Sequence, residues 1–300
     1  MGLKTSIITS MYNKHSEVLK IIDELFIPSL IQNGNKDTEI IIIDDCSLLE
    51  AETENLINKH LPSLRNSFAS VIFVKNQVNL GFAKSFNRGI NMACGENLLI
   101  TNDDVYFPIG SIKKLVDTLS ESENYALVGP VSNNIELWSF QYCKQAPKIA
   151  SYSDQEIARL ELFSTWLAKN MHNQRKTVDN LCGFCFAADA SFLKKFGGFS
   201  EKYKHGYFED TDLIKQITKK YGYEKIAVNM EVFINHGGPK GASQTFKQLP
   251  VKMFISLIVN SFKYANTWGY STLLKRIIYG LKSHFGIGTI SELIPKKIKF

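Results

Sequence analysis

The stretch Glu39–Ser47, EIIIIDDCS, contains four consecutive isoleucines and ends in two aspartates, a cysteine and a serine. A continuous apolar run of this kind is typical of a strand that is buried on both faces, as in the interior of a parallel sheet. Ligands of open α/β sheets bind outside the carboxyl ends of such strands. The stretch therefore predicts a buried strand of an α/β domain, with Asp44 and Asp45 at its binding edge.

Strand and helix patterns alternate on both sides of this stretch. The predicted strands are Thr5–Thr9, Glu39–Ile43, Ser70–Val74, Asn97–Ile100 and Ala126–Val128. Apolar residues with helical spacing predict helices at Glu17–Leu30, Gly81–Ala93, Pro108–Leu119, Asp154–Lys169 and Leu213–Tyr221. This alternation predicts a mostly parallel, doubly wound sheet with helices on both faces.

Polar residues directly follow three of the predicted strands, at Ser10–Asn13, Asp44–Ser47 and Asn102–Asp104. Because the carboxyl ends of parallel strands share one edge of a sheet, we expect these three segments to form one site. Taken singly, each has a simpler interpretation as a capping turn, since Asp, Asn and Ser favour helix N-termini and turns.

Two adjacent carboxylates, Asp103 and Asp104, end the strand that follows Gly95. Like charges so close repel unless a cation or hydrogen bonds compensate them. Mg²⁺ and Mn²⁺ prefer carboxylate oxygens together with phosphate oxygens. The pair therefore predicts a divalent metal that holds a diphosphate; the alternative is a solvated turn before the helix at Pro108.

A third acidic cluster, Glu209-Asp210-Thr211-Asp212, follows the aromatic residues Tyr207 and Phe208 and begins an amphipathic helix. Acids are stabilised at a helix N-terminus by the helix dipole, which is sufficient to explain Asp212. Three acids beside aromatic residues favour a second interpretation, a general base in a walled pocket that accepts a proton from a hydroxyl group.

Two further features have structural and chemical interpretations. His236 stands before two glycines, where it is either structural or a metal ligand. Cys182 and Cys185 form a C-x-x-C pair within LCGFCFAA, a segment with a strand pattern, and the other three cysteines supply no second pair for zinc. We interpret both as buried structural cysteines.

Composition places the chain among ordinary globular proteins. It has 300 residues, 44% of them hydrophobic and 21% charged, and only five cysteines, which favours a reducing compartment. The N-terminus has no signal-peptide pattern and no run of 18 apolar residues occurs, so we expect a cytoplasmic protein without a spanning helix.

The charge of the chain is concentrated in its last segment. Residues 247–300 contain nine Lys or Arg and one acid, a net charge of +8, whereas the remaining 26 basic and 28 acidic residues give −2. Large apolar residues interleave with these cations, which suits an amphipathic helix on the anionic inner face of the cell membrane. The alternative is a helix packed on the catalytic domain with a solvated basic face. Nucleic acid is not an expected partner, because no reader motif occurs and the body of the chain is not basic.

Several segments together resemble the family 2 glycosyltransferases, in particular their rhamnosyltransferase-like branch. The resemblance extends from about Thr5 to Gly238. Its matching segments are SIITSMYNKH, EIIIIDDCS, NLGFAKSFNRGINMACGENLLITNDDV, LVGP, CGFCFAADASFLKKFGGFSEKY, GYFEDTDLIKQITKKYGYE and NHGG, in the family's order and spacing.

The resemblance implies a glycosyltransferase-A fold with a catalytic domain at 1–245 and a helical basic extension at 246–300. The nucleotide-binding half would be about 1–130 and the acceptor-binding half about 131–245. The nucleotide-sugar would be bordered by Ser10, Tyr12, Asp45, Gly81, Asn87, Asn102 and Asp103. Asp104 and His236 would bind Mn²⁺ or Mg²⁺, and Asp210 would be the catalytic base, with Glu209 and Asp212 shaping its site.

The implied activity is an inverting transfer of a hexose or deoxyhexose from a UDP- or dTDP-sugar to a hydroxyl of a carbohydrate or lipid-linked acceptor, in bacterial surface polysaccharide or glycolipid synthesis. The family's metal motif is often Asp-x-Asp, and Asn102 stands at its first position. Two alternatives stay open at this point, a sugar nucleotidyltransferase and a non-catalytic nucleotide-sugar-binding protein. The first usually has a Gly-rich basic loop after its first strand, unlike Ser10–Asn13.

Overall fold

The computed structural model describes residues 2–121, 125–135, 139–203, 206–239, 250–284, 287–296 and 298. His205 and the predicted domain boundary at 245–246 lie outside these residues. The strands are β1 Thr5–Met11, β2 Thr38–Asp44, β3 Ser70–Lys75, β4 Asn97–Thr101, β5 Val105–Tyr106, β6 Leu127–Val131, β7 Arg175–Thr177, β8 Cys185–Asp189, β9 Ile226–Phe233 and β10 Asn235–His236. The helices are α1 Ser16–Ile21, α2 Ile27–Gln32, α3 Glu50–Ser67, α4 Phe82–Met92, α5 Ser111–Glu121, α6 Asp154–Asn170, α7 Ala190–Phe196, α8 Glu209–Tyr221, α9 Pro250–Trp268 and α10 Tyr270–His284.

Eight of the strands form one sheet in the order β3-β2-β1-β4-β8-β6-β9-β7. Four of its seven pairings are parallel, including all those among β1, β2, β3 and β4, and β8 is antiparallel to both of its neighbours. The predicted α/β fold with a mostly parallel sheet is confirmed. Strands from both predicted halves of the catalytic domain belong to this single sheet.

The isoleucines of β2 explain why the sheet is covered on both faces. Successive side chains of a strand point to opposite faces. Ile40 and Ile42 accordingly join one apolar cluster and Ile41 and Ile43 the other, and none of the four is exposed to solvent. Replacing one such side chain by alanine would cost about 2–5 kcal/mol.

The predicted helix Glu17–Leu30 is continuous but not uniformly α-helical. Residues 22–26 form a π-helical turn between α1 and α2. Pro28 follows this turn and has no N–H to bond the carbonyl of Glu24, which explains why the regular α-helical ladder is interrupted there.

The prediction that LCGFCFAA forms one strand is wrong for its first half, because β8 begins only at Cys185. The backbone N–H groups before it bond to side chains instead of a neighbouring strand: Cys182 N donates to Gln141 Oε1 at 2.7 Å and Gly183 N donates to Asp210 Oδ2 at 2.8 Å. Neither cysteine is part of a disulfide. Cys185 is buried, and burial raises its pKa to about 12, whereas Cys182 is partly exposed.

A buried carboxylate on β9 joins the edge of the sheet to its surroundings. The Glu231 side chain is 1% exposed and forms ion pairs with Arg175, at 2.6 Å, and with Lys114. It also accepts a hydrogen bond from the N–H of Asn173 at 2.8 Å. Burial alone would raise the pKa of Glu231, but these partners lower it to about 2.

The C-terminal helices pack on the catalytic domain. Tyr264 and Ala265 of α9 are buried, and Trp268 Nε1 donates to Asp212 Oδ1 at 2.7 Å. From α10, Arg276 Nη1 donates to Asn180 Oδ1 at 3.0 Å. Among the described residues, no helix has the length and apolar character needed to cross a bilayer.

Candidate active site

The three polar segments predicted from the sequence lie at one edge of the sheet. They follow β1, β2 and β4, which are parallel neighbours with β1 in the middle. The strands β2 and β4 are therefore two strand spacings, about 10 Å, apart, and Asp45 and Asp104 follow their ends. The fold thus places both carboxylates on the same side of the molecule.

Asp45 organises the loop that leads into α4. Its Oδ1 accepts hydrogen bonds from Asn76 Nδ2 at 2.7 Å and from Leu80 N at 2.8 Å, and its Oδ2 accepts one from Gly81 N at 2.8 Å. Gly81 has a φ of 82°, a left-handed conformation that suits glycine. The structure therefore brings Asp45 and Gly81, two predicted nucleotide-binding residues, into direct contact.

Ser10 and Tyr12 lie beside this loop at the end of β1. Burial raises the pKa of Tyr12, and the nearby Cys46 and Asp45 raise it further. The ring of Tyr12 lies under the ammonium of Lys14, 4.3 Å from the ring centroid. An aromatic face with a cation and a carboxylate beside it can stack and hydrogen-bond a nucleotide base.

Asp104 and His236 meet because β5 and β10 form a short antiparallel ribbon, in which Val105 pairs with His236. The Nε2 atom of His236 lies 3.2 Å from Oδ1 of Asp104, and Gly237 N donates to the Asp104 carbonyl at 2.6 Å. The imidazole is stacked on the ring of Phe184, with centroids 4.8 Å apart. Two residues separated by 132 positions thus form one polar pair.

The hydrogen bonds of His236 fit a metal ligand. Its Nδ1 lies 2.6 Å from the carbonyl oxygen of Asn134, so the ring hydrogen belongs on Nδ1 and the Nε2 lone pair is directed to the Asp104 side. Asn102 Nδ2 lies 3.4 Å from the same Nε2. A lone pair that faces a carboxylate oxygen at 3.2 Å favours a shared cation between them.

The neighbouring Asp103 also has a perturbed pKa. Burial and the adjacent Asp104 carboxylate raise the pKa of Asp103 to about 8. Within the described part of the chain, no group of three or more His, Cys, Asp or Glu side chains is arranged to hold a metal ion. A cation here would therefore complete its coordination with oxygens of a substrate diphosphate and water, as Mg²⁺ commonly does.

Asp210 is held in a fixed orientation at the N-terminus of α8. Its Oδ2 accepts the hydrogen bond from Gly183 N at 2.8 Å, and its Oδ1 accepts hydrogen bonds from Thr211 N at 2.6 Å and Thr211 Oγ1 at 3.1 Å. A Cβ atom on Gly183 would lie 2.8 Å from Cβ of Asp210, which is closer than side chains approach. Only glycine at 183 allows this contact.

The chain enters α8 through a strained backbone. Gly206, Tyr207 and Phe208 have consecutive φ values of 94°, 74° and 73°. A left-handed conformation at a bulky residue costs on the order of 1–3 kcal/mol, and such strain is concentrated at functional sites. This backbone sets where Glu209 and Asp210 begin the helix.

One short segment, Gly183–Phe184, contacts both Asp210, the candidate general base, and His236, the candidate metal ligand. Gly183 binds the Asp210 carboxylate, and the next residue, Phe184, stacks on His236 and accepts a hydrogen bond from Asn102 N at 2.8 Å. Asp210 and the Asp104–His236 pair are therefore fixed relative to each other through two adjacent residues.

Glu209 and Asp212 differ from Asp210 in burial. Both are buried, and Asp212 has no exposed surface. Asp212 accepts hydrogen bonds from Tyr203 and Trp268 and forms an ion pair with Lys202 at 3.0 Å. These contacts make Asp212 one of the points at which α9 is attached to the catalytic domain.

Asn87 is the predicted site residue that the structure does not join to the others. Its Nδ2 donates to the carbonyl of Phe199 at 2.9 Å, and its Oδ1 accepts from the N–H of the same residue at 2.8 Å. These bonds connect α4 with the loop that follows α7. The role of Asn87 in binding the nucleotide-sugar stays a prediction.

Arg276 is a site residue that the sequence did not indicate. It binds Asn180, and its guanidinium lies 6.0 Å from the ring centroids of both Phe208 and Tyr264. Burial lowers the pKa of Arg276, and the charge of Asp210 acts in the opposite direction. A partly buried cation thus lies within electrostatic range of Asp210, and it comes from a helix outside the matched sequence segments.

Comparison with known proteins identifies the family. The profile of glycosyl transferase family 2 matches residues 6–197, almost two thirds of the chain. The chain therefore belongs to glycosyl transferase family 2. It is also 29% identical over 120 residues to an uncharacterized glycosyltransferase of Haemophilus influenzae, a match that covers 40% of this chain and 35% of that protein.

Solved structures show the same fold at low sequence identity. Residues 1–349 of TarS from S. aureus, in complex with UDP-GlcNAc, align with a TM-score of 0.56 and 17% identity over 99% of this chain and 76% of that one. The mannosyltransferase PcManGT from Pyrobaculum calidifontis, in complex with GDP-Man and Mn²⁺, aligns with a TM-score of 0.55 and 15% identity over 88% of this chain and 65% of that one. The predicted glycosyltransferase-A fold is confirmed.

Proposed function

We propose that this family 2 glycosyltransferase moves a hexose or deoxyhexose from a UDP- or dTDP-sugar to an acceptor hydroxyl, with inversion at the anomeric carbon. The observation that carries the proposal is the Gly183–Phe184 segment, which binds Asp210 on one side and Asn102 and His236 on the other. A general base and an anion-binding site are the two parts that this reaction requires.

In the proposed reaction Asp210 accepts the proton of the acceptor hydroxyl as its oxygen attacks the anomeric carbon. The bond from that carbon to the diphosphate oxygen breaks on the opposite face, which inverts the configuration and releases the nucleoside diphosphate. The bonds from Gly183 and Thr211 hold the carboxylate in place and leave one lone pair, on Oδ2, for the hydroxyl.

Asp104 and His236 are the proposed ligands of a divalent cation, Mn²⁺ or Mg²⁺. When bound, this cation would supply positive charge for the diphosphate leaving group. Complexes of PcManGT with GDP-Man and Mn²⁺ and of GalNAc-T7 with UDP, GalNAc and Mn²⁺ support the choice of metal. Asp45, Gly81, Ser10 and Tyr12 would then border the nucleotide.

The proposed setting is bacterial surface polysaccharide or glycolipid synthesis in the cytoplasm, with a carbohydrate or lipid-linked acceptor. The five cysteines, all among the described residues, form no disulfide, which agrees with a reducing compartment. The basic C-terminal segment agrees with a location at the inner face of the cell membrane.

The direct test is incubation of the purified chain with a panel of UDP-, dTDP- and GDP-sugars, with and without Mn²⁺. Release of a nucleoside diphosphate, and a glycoside product whose anomeric configuration is inverted by NMR, are expected. Formation of a nucleoside triphosphate when pyrophosphate is added to the donor would instead identify a nucleotidyltransferase. Binding of a donor without any turnover, across acceptors of several classes, would contradict the enzymatic proposal.

The metal assignment has its own test. Asp104→Ala should weaken Mn²⁺-dependent donor binding in calorimetry and leave metal-free donor binding unchanged. Leu162→Ala, on the exposed surface of α6, is the control variant. Equal Mn²⁺ dependence in the Asp104→Ala protein would overturn the assignment.

A further inference from the structure

The C-terminal helices expose a large apolar surface. Of the twenty large hydrophobic side chains that are exposed in the described residues, thirteen lie between positions 254 and 293. Phe254, Phe262 and Leu281 are 62%, 55% and 62% exposed. Soluble monomers rarely expose contiguous apolar patches of this kind unless the patch contacts a partner.

The exposed residues recur with helical periodicity. On α9 they are Phe254, Ile255, Leu257, Ile258, Val259 and Phe262, and on α10 they are Tyr270, Leu274, Ile277, Ile278 and Leu281. Spacings of three, four and seven residues place such side chains in a stripe along one side of a helix. Each helix therefore presents an apolar stripe to the surroundings, and we call the two together the hairpin stripes.

The outer side of α9 is apolar, unlike that of an ordinary surface helix. The buried side chains of α9 are mixed in polarity: Tyr264 and Ala265 are apolar, whereas Ser256 and Asn260 are polar, and Asn260 Nδ2 donates to the carbonyl of Gly206 at 2.8 Å. Phe254 and Phe262 are exposed. A surface helix normally directs its apolar side to the core and its polar side to water. Exposed phenylalanines on a helix that also buries polar side chains favour an apolar phase as the surroundings of its outer side.

This arrangement combines features of the two alternatives that the sequence leaves open for the C-terminal segment. The helices do pack on the domain, but the outer side of α9 is apolar where a purely structural role would leave a solvated basic face. Lys275 and Lys282 are exposed beside the stripe of α10. Cations that flank an apolar stripe are the pattern of a helix lying in the headgroup region of an anionic bilayer.

The charge of the segment selects between a bilayer and a second copy of the chain. Residues 247–300 contain nine cations and one acid. The exposed Lys275 and Lys282 would repel their counterparts across an interface between two copies, whereas an anionic leaflet attracts each such cation by about 1 kcal/mol.

We propose that the hairpin stripes dock on an anionic lipid bilayer. The same helix that presents Leu274 and Leu281 outward carries Arg276, which binds Asn180 of the catalytic domain and lies within electrostatic range of Asp210. Docking through α10 therefore brings the active site to the membrane surface, where a lipid-linked acceptor resides. The role of docking in reaching a lipid-linked acceptor rests on the proposed function, whereas the membrane contact itself does not.

The test is sedimentation of the full chain with vesicles of phosphatidylcholine alone or with roughly one third phosphatidylglycerol. We expect pelleting with the anionic vesicles at low salt and partial release at high salt, because the exposed charges are screened. Phe254→Ser/Phe262→Ser and Leu274→Ser/Leu281→Ser should each lower the partition coefficient about tenfold or more. Ile109→Ser/Leu162→Ser, which removes two exposed apolar side chains from the catalytic domain, should bind like the wild type.

Three results would overturn the proposal. The first is absence of pelleting at low salt, and the second is equal pelleting of the hairpin and control variants. The third is a dimer, detected by light scattering, that the hairpin substitutions disrupt while none of the proteins binds vesicles. Nucleotide release from a soluble donor is measured on the same samples without vesicles. If that activity is absent while vesicle binding stands, the proposed function fails and the membrane contact does not.

Discussion

Gly183→Ala should impair catalysis through Asp210 alone. The added methyl carbon would lie 2.8 Å from Cβ of Asp210 and 3.2 Å from its Oδ2. Nonbonded carbons are normally separated by about 3.5–4.0 Å, so the carboxylate must move by about 1 Å. A displacement of that size costs about 10²-fold in rate when a reacting group is misplaced. Overpacking should also lower the free energy of unfolding by about 1–3 kcal/mol.

The assay is steady-state nucleotide release, with donor affinity measured separately by calorimetry. The expected result is a fall of about 10²-fold in kcat with donor Kd unchanged, because Asp210 contacts the acceptor. Gly2→Ala, where the added methyl meets open space, is the control for the type of substitution. In an Asp210→Asn background, Gly183→Ala should lower kcat by less than a further factor of about two, since both substitutions act on the same side chain. Full activity of Gly183→Ala, or an undiminished loss in that background, would refute the reasoning.

Three further predictions concern Asp45, Glu231 and Arg276. Asp45→Ala should free the loop that ends in Gly81, so we expect weaker donor binding and faster hydrogen exchange at the Leu80 and Gly81 amides; unchanged exchange would contradict the role of its carboxylate. Glu231→Gln should lower the free energy of unfolding by about 2–3 kcal/mol at neutral pH. Because the pKa of Glu231 is lowered to about 2, that difference should persist above about pH 4.5 and shrink as the pH falls toward 2, which urea unfolding at several pH values measures. Arg276→Ala should reduce the transfer rate about tenfold or more, with partial recovery in Arg276→Lys. An unaltered rate would show that Arg276 has no role in transfer.

The sheet could be predicted because its signals are local. Four isoleucines in a row require apolar surroundings on both faces, and the acids that follow them mark where the strand ends. The same reasoning located Asp104, since Asn97–Ile100 has a strand pattern that ends just before it. Each of these inferences depends on fewer than about ten neighbouring residues, which is the range over which side-chain periodicity carries information.

The contacts that organise the site could not be predicted in this way. Gly183 approaches Asp210 from 27 positions away, and Arg276 reaches the same region from a helix outside the matched segments. Such contacts depend on how distant elements pack, which no local pattern records. The same limit applies to α9: its sequence shows an apolar helix with cations, but which side faces outward depends on the attachment of Trp268 to Asp212.

If Asp210 removes the acceptor proton in a site that binds the donor independently, its substitution should slow transfer without weakening donor binding. Asp210→Asn is compared with the wild type in single-turnover transfer and in donor calorimetry with Mn²⁺. We expect a rate lower by about 10²–10⁴-fold with donor Kd within about twofold of wild type. Transfer by Asp210→Asn at the wild-type rate would contradict it.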